Sequence, residues 1–369
     1  MSRPDVLHPR QLGRATLARQ LLLERVAIDP ATAIEQVVSL QAQLAKPPYV
    51  SLFSRIQGFF REDLTAAIND RSVVKTTMMR HTLHLMSARD YLRLRHATQP
   101  SLTRAYTSIT RKRLEGLDID PLVAAAAAQV RDEPRTFVEI RELLSDLEPG
   151  HDLSAMGYAA RTFVPLAQLP AASVWGYDNR APYLDAETFL GARLDADATP
   201  HELIRRYLAS FGPASIRDAQ MWSGLPGLKG AFEDLRGELR TFRDARGTEL
   251  FDVTGGPLPD PATPAPPRFL PEFDNVLLAH HDRSRIVSDV DRKRIALKAA
   301  RMLPTFLVDG VVHGAWSLAV QRGTATITVS PFRALKAADR RAVCDEAEQL
   351  ARFLEPEAAT YAVTVTPAG

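Results

Sequence analysis

The sequence predicts an α+β fold, mainly α, made of tandem winged-helix (helix-turn-helix) units followed by a β-rich C-terminal domain. Three observations carry this expectation. Before residue 255, helical periodicity followed by a pair of short strand-like segments occurs three times. A proline-rich stretch, residues 256–267, then breaks the pattern and reads as a linker. Beyond it the apolar residues alternate with period two around a single well-formed helix. The expected units are 1–115, 116–198, 199–255 and, after the linker, 268–369. The repeat is one of topology rather than of sequence.

The elements follow in order. Residues 10–25 have the spacing of an amphipathic helix. Asp29-Pro30 is a helix start, with the aspartate as cap and proline in the first turn. That helix is expected to run toward Gln43, with Ile34, Val37 and Val38 on one face, and to end before Pro47-Pro48. Short helices are expected at 49–57 and 62–69. Residues 73–79 and 81–86 have the β-branched alternation of two strands, with Arg80 and His81 at the wing between them. Helices then strands is the winged-helix order.

In the second unit the helices are 122–130, 136–147 and 156–165, the last capped by Ser154. Residues 174–177 and 181–184 flank Asp178-Asn179-Arg180 as a second wing. The third unit has helices at 201–210, 216–222 (capped by Ser215) and 228–235, with a wing from 239–242 and 249–253. In the last domain Asp309-Gly310 turns a hairpin over 306–316. Residues 324–330 form a strand, 340–354 a helix and 361–366 a terminal strand.

Composition excludes several classes. The chain has 369 residues, 45 % apolar and 24 % charged, as expected of a soluble globular protein. No apolar run reaches the roughly 18–20 residues a membrane span needs, and the first residues lack the apolar core of a signal peptide. A cytoplasmic protein without membrane association is expected. A single cysteine, Cys344, rules out an internal disulfide and disfavours zinc. His81 and His84 would face opposite sides of a strand, so no metal site is expected there. The net charge is only +2, yet residues 71–113 hold ten Lys/Arg against one acid, Asp90. Such a segment is a candidate polyanion surface, or a solvated basic face.

The stretch Ser39-Leu40-Gln41-Ala42-Gln43 before Pro47-Pro48-Tyr49 is the chemical focus. On the residues alone the structural reading of the glutamines is the stronger one, with Gln41 capping backbone and Gln43 solvated. Convergence of both on one cleft requires the helix to loosen, because residues two apart on a helix diverge.

A resemblance shifts this balance. Leu40-Gln41-Ala42-Gln43, Pro47-Pro48-Tyr49, Leu52-Phe53-Ser54-Arg55 and Met79-Arg80-His81-Thr82-Leu83-His84-Leu85 resemble the AlkZ/YcaQ-type DNA glycosylases. So do Phe269-Leu270-Pro271-Glu272-Phe273-Asp274-Asn275, Asp282-Arg283-Ser284-Arg285 and Val308-Asp309-Gly310 with Gly314-Ala315-Trp316. The joint order covers essentially the whole chain. Gln41-Ala42-Gln43 is similar to the double-glutamine form of the family's motif, as in its AlkZ branch. The resemblance implies a monofunctional glycosylase that hydrolyses the N-glycosidic bond of alkylated purines in double-stranded DNA, N7-alkylguanine foremost. Bulky antibiotic adducts and interstrand crosslinks come within its reach, in self-resistance or base excision repair. It implies no cofactor.

The chemistry suits such residues. An N7-alkylated guanine is cationic and already a good leaving group, so the enzyme must chiefly orient water and stabilise an oxocarbenium-like sugar. Gln41 and Gln43 are the expected catalytic pair, Gln43 positioning the water and Gln41 holding it or the sugar cation. Expected DNA contacts are Tyr49, Ser51, Arg55, Arg80, His81, His281, Arg283 and Arg285. Two other readings stand beside this one: a non-enzymatic winged-helix DNA-binding protein or transcription regulator, and an adduct-sequestering protein. Three units in one chain make an asymmetric clamp, and a monomer, rather than a two-fold repressor.

Overall fold

The computed structural model describes residues 5–178, 180–298 and 301–369. Asn179, in the middle of the expected second wing, lies outside the described residues, as do residues 1–4. The chain is mixed α and β, and its strands form three sheets among the described residues.

The sheet that matters for the site is antiparallel throughout. Its order is Leu40–Gln41, Thr82–Ser87, Val73–Met78, Leu166–Gln168, Tyr183–Asp185. It therefore takes strands from both sides of residue 115. A second sheet places Val6–Leu7 parallel to Leu239–Asp244, which pairs antiparallel with Glu249–Val253. The third runs from Arg268–Leu270 through Thr305–Val308, Val311–Gln321 and Thr324–Pro331 to Thr360–Val365. Its last two strands are parallel, and helix Ala337–Leu354 makes the crossover between them.

Many elements follow their local signals. Asp29 caps helix Pro30–Gln36 by accepting from the Thr32 amide at 2.9 Å. Ser215 and Asp218 form a reciprocal capping box on helix Ile216–Ser223. The Asp309-Gly310 turn has φ of 50° and 79°, as a tight hairpin requires.

Others depart from them for physical reasons. The helix expected to reach Gln43 stops at Gln36. Its last carbonyls are claimed by distant donors: Arg206 bonds the Glu35 carbonyl, Ser210 Oγ that of Gln36 at 2.7 Å, and Asn275 Nδ2 that of Val37 at 3.3 Å. Val38 then turns the chain at φ 69° into the Leu40–Gln41 strand. The next helix begins on the prolines themselves, Pro47–Phe53, since a fixed φ and a missing N–H suit a first turn. Asp152, not Ser154, caps helix Leu153–Phe163. The expected strand at 174–177 is a turn, and the second hairpin pairs Leu166–Gln168 with Tyr183–Asp185. Within the basic segment, Ala88–Thr110 is one helix of 23 residues.

The proline-rich stretch is held along its length. Arg10 Nε and Arg14 Nε each donate at 2.7 Å to its carbonyls, at Pro261 and Thr263. Arg19, buried, forks onto Asp252 at 2.6 and 2.8 Å and reaches the Pro257 carbonyl at 3.1 Å.

Candidate active site

Gln41 ends the strand Leu40–Gln41 and Gln43 lies in the bend just after it, so neither is on a helix. Ala42 is 1 % exposed and points inward, while Gln41 is half-buried and Gln43 exposed. The helix that would have driven the two side chains apart is absent here.

The pair is anchored from beneath. The Ala42 amide donates to the Leu83 carbonyl at 2.7 Å, and the Leu83 amide donates to Gln43 Oε1 at 3.1 Å. The Gln43 side chain thereby extends the ladder by one rung. That bond fixes its amide orientation, because only the oxygen can accept. One lone pair of Oε1 remains for another donor. Opposite Gln41 in register is His84, fully buried between Ser39 Oγ (3.1 Å from Nδ1) and Thr82 Oγ1 (2.8 Å from Nε2). Burial pushes His84 down to about 3, so it is a neutral strut rather than a proton donor. Asn275 donates to the Ser39 carbonyl at 2.6 Å and ties the strand to the segment after Pro271.

Beside Gln41 opens a small crevice of about 10 Å³. Its walls come from Leu40, Pro47, Pro48 and Ser51 on one side and from Pro271 to Asn275 on the other. The two acids of that second wall differ sharply. Asp274 is fully buried and saturated. Arg55 forks onto it at 2.9 and 2.8 Å, Ser51 Oγ donates to it at 3.1 Å, and it caps the Val276 amide at 3.2 Å. Glu272 sits next to Phe273, which adopts φ 63°, a strained value for an aromatic residue. Sequence reading assigned no role to Glu272 or Asn275. The visible signal was a lone carboxylate inside the apolar run Phe269-Leu270-Pro271-Glu272-Phe273.

Several expected DNA contacts are internal. Tyr49 is buried, with its hydroxyl 3.1 Å from Thr65 Oγ1 and its ring edge-on to Trp175. Ser51 and Arg55 are committed to Asp274 inside the protein. Arg80 and His81 lie at a tight turn with φ of 56° and 62°, but the turn is packed rather than projecting. Arg80 donates to the Trp222 carbonyl, and His81 Nε2 lies 2.8 Å from Thr162 Oγ1. Burial pushes His81 down to about 4. Arg285 is buried and donates to the Pro213 carbonyl at 3.0 Å. Five of these six side chains are buried, and Arg80 is half-buried. Arg283 is half-buried with Nε 3.3 Å from the His280 carbonyl, and His281 is exposed. Within the basic segment, Lys75 is also buried, its ammonium 4.8 Å above the Tyr177 ring, while Arg104, Arg111 and Lys112 face solvent.

A wide concavity of about 930 Å³ lies elsewhere. Ile216, Arg217, Asp244, Asp282, Asp289 and Arg292 are among its walls, and His281 is on its rim. Its charges alternate in sign, and Arg246 is paired with Asp282. It has neither the character of a phosphate groove nor a share in the glutamine pair. Among the described residues, no helix is long and apolar enough to cross a membrane.

Comparison with known proteins agrees with the motifs. Residues 34–353 match the family model described as DNA glycosylase AlkZ-like. A relative from Streptomyces sahachiroi, the interstrand DNA cross-link repair glycosylase, is 26 % identical over 372 residues, covering 93 % of this chain and 95 % of that protein. The solved structure of Streptomyces sahachiroi DNA glycosylase AlkZ superposes with a TM-score of 0.78 at 21 % identity, over 98 % of this chain and 100 % of the other, and so shares the fold. With its double-glutamine motif, its fold and this match across most of its length, the chain belongs to the AlkZ-like DNA glycosylase family.

Proposed function

We propose that this glycosylase hydrolyses the N-glycosidic bond of N7-alkylated guanine in double-stranded DNA, bulky adducts and crosslinks included, with Gln41 and Gln43 as the catalytic pair. The observation that carries the reading is that both glutamine side chains reach solvent on either side of the buried Ala42. Gln43, its amide fixed by Leu83, offers its remaining lone pair to a water at C1′. Gln41 stabilises that water or the developing sugar cation. The crevice beside Gln41 is far below the roughly 300–1,000 Å³ of a ligand pocket. A large adduct meets an exposed face there rather than a closed pocket, which favours bulky N7 lesions as substrates. A name given to the Streptomyces sahachiroi relative, interstrand cross-link repair, points the same way.

On this reading the helix-then-hairpin units are winged helices that clamp DNA as a monomer in the cytoplasm, and His281 and Arg283 remain as backbone contacts. The test is single-turnover release of base from DNA carrying 7-methylguanine or a larger N7 adduct. The Gln41→Ala/Gln43→Ala variant should lose release while still binding DNA, and Gln43→Asp should retain it. Wild-type rates in the double variant would remove the glutamines from the mechanism.

A further inference from the structure

The two glutamines leave one chemical gap. A carboxamide can orient a water but cannot take its proton. When water attacks C1′, the new C–O bond needs an acceptor for a proton, while the C1′–N9 electrons go to the departing base and cancel its positive charge.

We propose that Glu272 is that acceptor, holding the attacking water with Gln41 in the mouth of the crevice, where Gln43 orients it from outside; the inference rests on the glycosylase reading above. Three observations converge on it. Glu272 lines the same crevice as Gln41. Its Oε2 is buried and has no hydrogen-bond partner among the described residues. A buried carboxylate oxygen without a donor is costly, and its presence calls for a ligand. The crevice volume of about 10 Å³ is at the lower end of the ~10–15 Å³ that admits one water.

The neighbouring carboxylate cannot do this. Asp274 lines the crevice too, but Arg55, Ser51 and the Val276 amide occupy its oxygens. Among the described residues Glu272 has only a loose ion pair, 3.8 Å from Arg301, whose side chain is 62 % exposed. The pair of acids is thus divided between scaffold and chemistry. The backbone supports the division: φ 63° at Phe273 turns the chain between them.

The experiment is single-turnover excision of 7-methylguanine at saturating enzyme, with DNA affinity and melting temperature measured alongside. Glu272→Gln, close in shape but unable to take a proton, should slow excision by about 10²-fold, the low end of general-base effects of ~10²–10⁴. Affinity for DNA and thermal stability should stay near wild type. Glu272→Ala should be equally slow, and added formate should restore part of its rate, a response that a structural role would not give. Undiminished excision in Glu272→Gln overturns the assignment. So does a loss that tracks weaker DNA binding or unfolding and that formate does not restore in Glu272→Ala. Inactivity of the wild-type chain on the same DNA would overturn the substrate reading, and Glu272 with it.

Discussion

Replacing Arg55 with methionine separates a structural arginine from a phosphate-binding one. The side chain is fully buried with Asp274, and both guanidinium ends fork onto the carboxylate at 2.8 and 2.9 Å. Nη1 also donates to Ser51, at 3.0 Å to its carbonyl and 2.7 Å to its hydroxyl. Removing one partner of such a pair strands a buried charge, at about 3–5 kcal/mol. Global stability is on the order of 5–15 kcal/mol, so Arg55→Met should lose roughly a fifth or more of it. Asp274→Asn should behave alike. The Arg55→Met/Asp274→Asn variant, with no charge left to strand and with the helix cap retained, should recover to within about 2 kcal/mol of wild type. Urea unfolding followed by circular dichroism measures all three. The reasoning is refuted if either single variant loses less than about 1 kcal/mol. It is equally refuted if Arg55→Met keeps its stability while the salt dependence of DNA binding drops by about one phosphate contact.

Two further predictions concern protons. His81 and His84, held by burial near 4 and 3, stay neutral in the fold while the unfolded chain protonates near 6.5. Lowered folded values mean stability is complete above pH 6.5 and declines as pH falls toward 4. The slope is about 1.4 kcal/mol per pH unit for each group, roughly 2–4 kcal/mol between pH 6.5 and 5, and a flat urea midpoint across that range would contradict it. Lys75, pushed down to about 8 chiefly by burial, is held charged at neutral pH against its surroundings. Lys75→Met should stabilise the protein at pH 7 by up to about 3 kcal/mol, less what the Tyr177 ring contributes. Its advantage over wild type should shrink as pH rises from 8 toward 10.5, where the unfolded chain still binds a proton that the folded one has released; a pH-independent difference between the two would refute this.

Local chemistry was legible wherever an element is set by its own residues. Asp29-Pro30, Ser215 and Asp309-Gly310 did what their types dictate. The failures share a cause of another kind. Nothing between residues 37 and 43 forbids a helix; it ends because Arg206, Ser210 and Asn275, distant in sequence, take its carbonyls. A charge run likewise carries no sign of inside or outside. Arg55 reads as a phosphate ligand until its partner, 219 residues away, is in view. The glutamine motif was found by resemblance, whereas its place at a strand end and in the bend after it came only from the structure.

The arginines of the first helix also set a schedule. Arg10 pairs with Asp309, 299 residues further along, and Val6–Leu7 adds to a strand that begins at Leu239. At synthesis rates of roughly 5–20 residues per second, the N-terminal segment waits on the order of 15–60 s for its last partner to leave the ribosome. For most of that interval helix Pro9–Arg19 lacks the surfaces that bury Leu12 and Leu17, which come from Phe242 and Leu250 and from Leu270 onward. Nascent chains should therefore stay open to proteases around helix Pro9–Arg19 until the Asp309 hairpin emerges, and that helix is among the last elements to settle.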